Sequence, residues 1–371
     1  MASKLRVIEL FAGIGACSKA LENLSIEHEI VDAVEIDKFA IKAFNAIHGT
    51  NFEPQDITKW DKDIGCDLIM HGSPCQDFSV AGKQAGGDAG SGTRSSLMYE
   101  TLRIVEKLKP KYVIWENVKN LLSKKHRHNF DAYLEAMKQL GYKNYYQVLN
   151  AKNYGVPQNR ERVFTVSIRL DIPYSTLFRF PDPIPLEKKL EGVLENNVDE
   201  KYYLTAEQIE KIKFSSFSQA RQKIVEPFIV ASRGRGEKND QHLEPRKDGL
   251  TNTLTSVQKD NYVAIRTANS KGYDMAVDGD GIDLAYPKSS TRRGRVGQGI
   301  SKTLPTSDSQ GVLDGLKIRK LTPREHYRLM AFDDASFDRA SRVISNSQLY
   351  KTAGNSIVVN VLEAILKEML K

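Results

Sequence analysis

The chain has 371 residues, 40% of them hydrophobic, and a net charge of +7. That length suits two domains, or one large domain carrying an insertion. No apolar run approaches the roughly 18 residues of a membrane span. The N-terminus lacks a secretory core, and three scattered cysteines form no CxxC pair, so the expectation is a cytoplasmic protein with reduced thiols and neither a disulfide framework nor a zinc cluster.

The first 170 residues alternate short β-rich runs with helical patterns. Strands are expected at 5–11, 30–36, 67–72, 112–117 and 162–168, with helices near 17–24, 38–48, 95–108 and 130–140. This alternation predicts an α/β fold: an open, mostly parallel sheet with helices on both faces. ELFAGIG (9–15) ends the first strand in a Gly-x-Gly turn, where a ligand can approach the backbone at the start of the next helix. Glu35 stands twenty residues beyond Gly15, at the end of the second strand. Adenosine-binding α/β folds place there the carboxylate that accepts hydrogen bonds from ribose hydroxyls. Asp56, in PQDI, is suited to contact the adenine edge. Separately these are a tight turn, a helix cap and a turn residue; together they favour an adenosine-containing cofactor. The third glycine of a dinucleotide fingerprint is missing, which argues against NAD.

The third strand run leads into HGSPCQDFSVAG (71–82). Cys75 therefore stands at the carboxyl edge of the sheet, where such folds keep their active sites, and Pro74 fixes the backbone before it. Its neighbours Ser73, Gln76, Asp77 and Ser79 are too polar for a core position, whereas Cys66 reads as inert packing. Residues 81–92 hold five glycines, a composition suited to a lid. Glu116 ends YVIWEN on the same edge. Arg160 and Arg162, in QNRERVF, stand two apart at the start of a strand and are expected on one side. Guanidinium charge lowers the pKa of a nearby thiol, so nucleophile, acid and cation form a coherent catalytic set. His126 and His128 in KKHRHNF read as a solvated helix start or a DNA-facing loop; no metal is expected.

PDPIPLEKKL (181–190) is a proline-punctuated linker. From about 190 to 315 periodicity weakens, and 11 of the 25 glycines fall between 214 and 320, which indicates irregular β structure. Residues 214–320 also carry 18 Lys and Arg against 12 Asp and Glu, nearly the whole excess of the chain. Within them, 286–307 holds five basic residues and no acid, interleaved with Gly, Ser and Thr as loops along a phosphate backbone would be. Segments 249–263 and 299–313 share Gly, Thr and Leu at their first, fifth and sixth places, and each follows an Arg-Gly-rich stretch, so they read as two related loop–strand units. Residues 322–332 and 355–370 return to helix.

FAGIG, SPCQDFS, ENVKN, QNRERVF, LTPREHYRLMAFDD and AGNSIVVNVL stand in the order of a known set of motifs. With them the chain resembles the DNA (cytosine-5)-methyltransferases of the bacterial and phage restriction–modification type. Only about 185–315 is left without a motif. The resemblance implies an S-adenosylmethionine-dependent methyltransferase fold, with 1–184 and 339–371 as the catalytic domain. Residues 185–338 would form a smaller, loop-rich β domain for target recognition.

The resemblance also implies roles. Phe11, Gly13, Ile14, Gly15, Glu35, Ile36, Asp56, Ile57, Pro74, Leu97, Asn355 and Ile357 would bind S-adenosylmethionine. Cys75 would be the nucleophile and Glu116 would contact the cytosine N3 and amino edge. Arg160 and Arg162 would hold the base and its phosphate. Gln76, Ser79, Arg233, Arg235, Arg292, Arg293, Arg295, Thr303 and Leu304 would contact DNA. Ala16 departs from the glycine that relatives often carry, and Thr253-Leu254 competes with Thr303-Leu304 as the recognition dipeptide. The expected partner is double-stranded DNA, met by a monomer. That monomer is either part of a restriction–modification system, its cognate endonuclease then sharing the site without direct contact, or an orphan or phage protective methylase. Two rival readings are a tRNA cytosine-5 methyltransferase and a catalytically dead DNA-binding regulator. Intact Cys75, Glu116 and Arg162 argue against the second, as does an N-terminus with no room for a helix-turn-helix extension.

Overall fold

A computed structural model describes residues 4–73, 97–205, 207–208, 229–235, 240–244, 261–270, 272–287, 289–315 and 317–371, with backbone alone for 229–235, 240–244, 261, 262 and 264. Among these residues no helix is long and apolar enough to cross a membrane.

The chain divides into two units. The first comprises Met1–Val156, Arg160–Leu186 and Tyr327–Lys371; the second comprises Pro157–Asn159 and Glu187–His326. The cuts at 186/187 and 326/327 stand against the 184/185 and 338/339 expected from sequence. Residues 327–338 stay with the first unit because its elements hold them. The buried Lys19 pairs with Asp333 at 2.7 Å, and Val359 N–H donates to Met330 O at 3.1 Å.

The first unit is built on a six-stranded sheet. Its strands are β1 (Leu5–Leu10), β2 (His28–Val34), β3 (Leu68–His71), β4 (Tyr112–Val118), β5 (Tyr142–Asn150) and β7 (Glu161–Arg169), in the order β2-β1-β3-β4-β7-β5. Pairing is parallel from β2 to β4, while β7 runs antiparallel to both β4 and β5. The expected parallel α/β sheet is thus present, with one reversed strand. Buried runs such as Val7–Leu10 suit a sheet covered on both faces. The edge strand β5 is largely polar, which hid it from the sequence reading.

Helices α1 (Ala16–Asn23), α2 (Lys38–His48), α3 (Met98–Leu108) and α4 (Arg127–Gln139) join these strands. In α2, Ala40, Ile41, Phe44 and Ile47 repeat at helical spacing and are buried. Asp37 caps its start by accepting from Phe39 N–H at 2.9 Å, and Gly49 ends it with a φ of 66°. The helix expected over 355–370 begins only at Val359, because Ser356 and Val358 are extended.

In the second unit, strands β8 (Ile229–Arg235), β9 (Asp240–Glu244), β10 (Asn261–Arg266) and β11 (Tyr273–Ala276) form one antiparallel sheet. Strands β12 (Gly281–Asp283), β13 (Val296–Gly297), β15 (Gln310–Asp314) and β16 (Lys317–Lys320) form another. A small core of Val263, Ile265, Ala276, Ile282, Leu313 and Ile318 joins them. The short strands β6 (Gln158–Asn159) and β14 (Ser301–Lys302) pair in parallel, which places 157–159 in this unit. Arg319 makes a two-pronged buried bond to Glu325, with both contacts at 2.9 Å. Glu325 in turn closes a capping box with Thr322 at the start of the helix Pro323–Leu329.

Candidate active site

β1 passes to α1 through a turn in which Phe11, Gly13 and Gly15 have φ of 55°, 57° and 79°. Gly13 N–H donates to Glu35 Oε2 at 3.0 Å, and Asp37 N–H donates to Glu35 Oε1 at 2.8 Å. The Glu35 carboxylate thus bridges the ends of β1 and β2, and burial pushes its pKa above the ordinary carboxylate value. A Cβ on Gly13 would meet nothing within 4 Å, so that side of the turn is open. A Cβ on Gly15 would overlap the His48 ring. Gly15 must therefore be glycine, for space as well as for its backbone.

Two supports of this turn are not evident from sequence. His48 donates through Nε2 to Ile14 O at 3.1 Å, and burial lowers its pKa to about 4. Glu9, buried near the end of β1, accepts from Ser18 N–H at 2.9 Å and from Cys17 N–H at 3.3 Å. Gly15 is the N-cap of α1 and has no side chain, so Glu9 supplies the capping carboxylate from across the turn.

Gln55 N–H donates to Glu35 O at 2.8 Å, drawing the next segment beside β2. Asp32, also missed by the sequence reading, pins that segment by accepting from Trp60 Nε1 at 2.7 Å and from Lys62 and Gln55 at 2.8 Å. Asp56 accepts from the backbone and hydroxyl of Thr58 through Oδ1, and those bonds hold its pKa below the ordinary value. Ile57 and Ile14 are buried, whereas Ile36 is 71% exposed beside Glu35. Phe11 and Leu97 pack on the main core of the unit.

The β3 edge carries the other group of residues. Pro74, Cys75, Gln76, Ser79 and the glycine-rich 81–92 stretch lie outside the described residues. The strand that leads to them is tightly held. Ser73 Oγ accepts from Trp115 Nε1 at 3.0 Å, and Ser73 O accepts from Asn117 Nδ2 at 3.3 Å. Beneath them His71 stacks on Trp115, with ring centroids 5.6 Å apart. Glu116, between these two β4 residues, points to the other face. Its Oε1 lies 2.9 Å from Arg162 Nε as an ion pair without hydrogen-bond alignment, and both side chains are mostly buried. Gly72 lies against Glu116 and Ile357, each 3.7 Å from where its Cβ would stand. The two described thiols are poor nucleophiles, since burial pushes Cys66 up to about 12 and Cys17 well above its usual value.

Arg160 does not join Arg162. β7 begins at Glu161, so the alternation of a strand does not reach back to residue 160. The Arg160 side chain is 5% exposed, and Nη2 donates to Ser356 O at 2.8 Å and Gly354 O at 3.2 Å. It neutralises the carbonyl end of the helix Asn346–Asn355, where a cation is favoured. Asn355 itself is exposed.

Among the expected DNA contacts, Arg233 and Arg235 lie on β8, opposite His242 and Asp240 of β9. Arg293 is exposed and donates to Ala268 O at 3.1 Å. Arg292 is held by Asp283, with Nη2 at 2.6 Å from Oδ2. Arg295 requires correction as a DNA-facing residue: it is 1% exposed, and its guanidinium donates to Asp283 O, Ala285 O and Tyr286 O at 2.7–2.9 Å. Leu304 is likewise a core residue, 2% exposed. Thr303 Oγ1 donates to Asn159 O at 2.9 Å, so the dipeptide faces β6. The competing Thr253-Leu254 pair lies outside the described residues. Among the described residues no group of three metal-ligating side chains converges.

The C-5 cytosine-specific DNA methylase family model matches residues 5–371. The chain is 33% identical to the orphan methyltransferase M.SPRI of Bacillus phage SPR, over 99% of this chain and 98% of that protein. It is 32% identical to the type II methyltransferase M2.ScrFI of Lactococcus lactis subsp. cremoris, over 99% of each. Among solved structures, a Spodoptera frugiperda DNMT2 mutant shares the fold with a TM-score of 0.62 at 19% identity, covering 99% of this chain and all of that one.

Proposed function

The chain belongs to the C-5 cytosine-specific DNA methylases and is a DNA (cytosine-5)-methyltransferase, and on that premise we propose that it methylates a flipped-out cytosine in a specific duplex sequence, using S-adenosylmethionine and a covalent Cys75 adduct. The turn fits the cofactor: Gly13 is open on the side where a ligand would approach, and Glu35 is fixed beside it as an acceptor for ribose hydroxyls. The exposed Ile36 offers an apolar surface next to that carboxylate. When bound, S-adenosylmethionine supplies an electrophilic methyl group.

The residues of the chain do the rest. The Cys75 thiolate forms a bond to C6 of the cytosine while Glu116 protonates N3, and electron density moves to C5. Once C5 carries the methyl group, a base removes the C5 proton. The freed pair restores the 5,6 double bond, sulfur leaves, and N3 returns its proton to Glu116. Sulfur suits the task because it must both add and depart. None of this is accessible inside the stack, which requires base flipping. The observation that carries the reading is the Glu116–Arg162 ion pair beside Gly72, at the sheet edge from which the chain runs to Cys75.

The second unit is proposed to read the target, with the enzyme acting as a cytoplasmic monomer. A cognate restriction endonuclease, where one is encoded, shares the site without touching the methylase. The test is Cys75→Ser, which should abolish transfer of tritiated methyl groups while leaving cofactor binding intact. A duplex containing 5-fluorocytosine should trap the wild type as an SDS-resistant adduct, because fluorine cannot leave as a proton does. Near-normal turnover by the serine variant, or no adduct from an enzyme active on ordinary DNA, contradicts covalent catalysis.

A further inference from the structure

We propose that Tyr286 is a specificity-determining residue, whose ring meets the base pairs of the target duplex. The inference rests on the reading that the second unit recognises DNA. Tyr286 is 70% exposed at the head of the acid-free basic stretch 286–307. Its φ is 48°, a left-handed conformation that an aromatic residue adopts only under constraint and that glycine adopts freely.

The constraint is built from neighbouring residues. Buried Arg295 donates to the carbonyls of Asp283, Ala285 and Tyr286 itself, and Ser289 N–H also donates to Tyr286 O at 2.9 Å. Asp283, which holds Arg292, accepts from Ala285 N–H at 3.0 Å. The Arg292 guanidinium lies 5.5 Å from the Tyr286 ring centroid. A loop braced from below thus presents an aromatic ring and the exposed Arg293 outward, at a backbone angle that stability alone would give to glycine. Strain of this kind, held by its surroundings, gathers where a side chain is needed for recognition.

The protein contains its own control. Tyr174 has a φ of 61° and is 81% exposed, but it stands in the first unit, in a stretch (DIPYSTLF) without a basic residue. In the full-length enzyme, Tyr286→Gly and Tyr174→Gly should both keep or raise the melting temperature. Only Tyr286→Gly should weaken binding to a cognate duplex, by about tenfold or more, and relax the site preference read by bisulfite profiling of a randomised library. Because tyrosine carries no charge, the salt dependence of binding should not change, whereas Arg293→Ala should flatten it by about one phosphate contact. Tyr286→Phe should keep most of the affinity. Wild-type affinity and preference in Tyr286→Gly, with Arg293→Ala still flattening the salt dependence, overturns the tyrosine proposal and leaves the second unit as the reader. If neither variant alters DNA binding, the recognition reading of that unit fails. A Tyr286→Gly enzyme that melts lower and binds less assigns the residue a structural role, which also overturns the proposal.

Discussion

Arg160–Arg162 in the first unit and Arg292–Arg295 in the second divide the same labour. In each pair one arginine is buried and donates to carbonyls, Arg160 to 354 and 356 and Arg295 to 283, 285 and 286. The other is more exposed and pairs with a buried carboxylate, Arg162 with Glu116 and Arg292 with Asp283. The difference lies in the carboxylate. Asp283 also accepts from its own loop, so that pairing shapes a surface, whereas Glu116 makes an unaligned contact, which under the proposed mechanism rearranges around a base. Four arginines in motif-like settings are thus two braces and, on the proposed reading, two working groups, and burial separates them where residue type does not.

The comparison breaks most sharply if a working residue can be lost without effect. Glu116→Gln keeps the shape and removes the proton donor, so kcat should fall by on the order of 10²–10⁴. Cofactor binding, measured by calorimetry, should be unchanged. A variant that loses cofactor affinity in step with kcat would assign Glu116 to the fold.

The braces should fail differently. Arg295→Met and Arg160→Met each leave buried carbonyls without their charged donor, which costs about 2–4 kcal/mol. The loss should appear as a lower urea midpoint. Arg160→Met should also disturb Asn355, and so raise the cofactor KM more than it lowers kcat. Arg295→Met with unaltered stability and a changed target preference would restore Arg295 as a DNA reader.

The sequence alone reached the sheet but not its supports. Runs such as LRVIELF and YVIWEN carry consecutive apolar residues, Val7–Ile8 and Val113–Trp115, because both faces of β1 and β4 are covered. β5 escaped notice because an edge strand alternates with solvent and its register comes from β7, which lies later in the chain. The site divides in the same way. Glu35, Glu116 and Arg162 were legible from spaced motifs, and the structure puts Glu35 just after β2, Glu116 within β4 and Arg162 at the start of β7. Glu9, Asp32 and His48 were not, because each acts through a backbone or side chain that only folding brings near. Arg160 was misread because its strand starts one residue later than the motif suggests, and Leu304 because its neighbour β6 comes from another stretch of sequence.

Three histidines with strongly lowered pKa values, His48, His71 and His326, give the two units a pH dependence. Burial holds His48 at about 4 and His71 at about 3 in the first unit, and His326 at about 4 in the second. Each folded value lies below the ordinary 6.5, so the unfolded chain binds more protons as pH falls. The contribution of these histidines to stability is therefore full above about pH 6.5 and declines from there toward pH 4. His48→Gln keeps a donor for Ile14 O and should reduce the slope of stability against pH by about one proton across that window. An unchanged slope would mean that His48 is not buried in the neutral form.

The smallest expected effect tests whether Thr303 belongs with the braces or with the readers. Its hydroxyl donates to Asn159 O, and Ser301 and Lys302 just before it pair with Gln158 and Asn159. Chain continuity makes that pairing consequential, because Arg160 and Arg162 follow Asn159 directly. Thr303→Val keeps shape and volume while removing one hydrogen bond, a loss of about 1 kcal/mol. A brace predicts a melting temperature lowered by a few degrees, about 2–4 °C on the scale of domains this size. It also predicts a small fall in kcat through the segment leading to Arg162, and an unchanged target sequence in bisulfite profiling. A reader predicts the reverse: unchanged melting and a relaxed preference at one base pair. The bond to Asn159 and the burial of Leu304 beside it favour the brace.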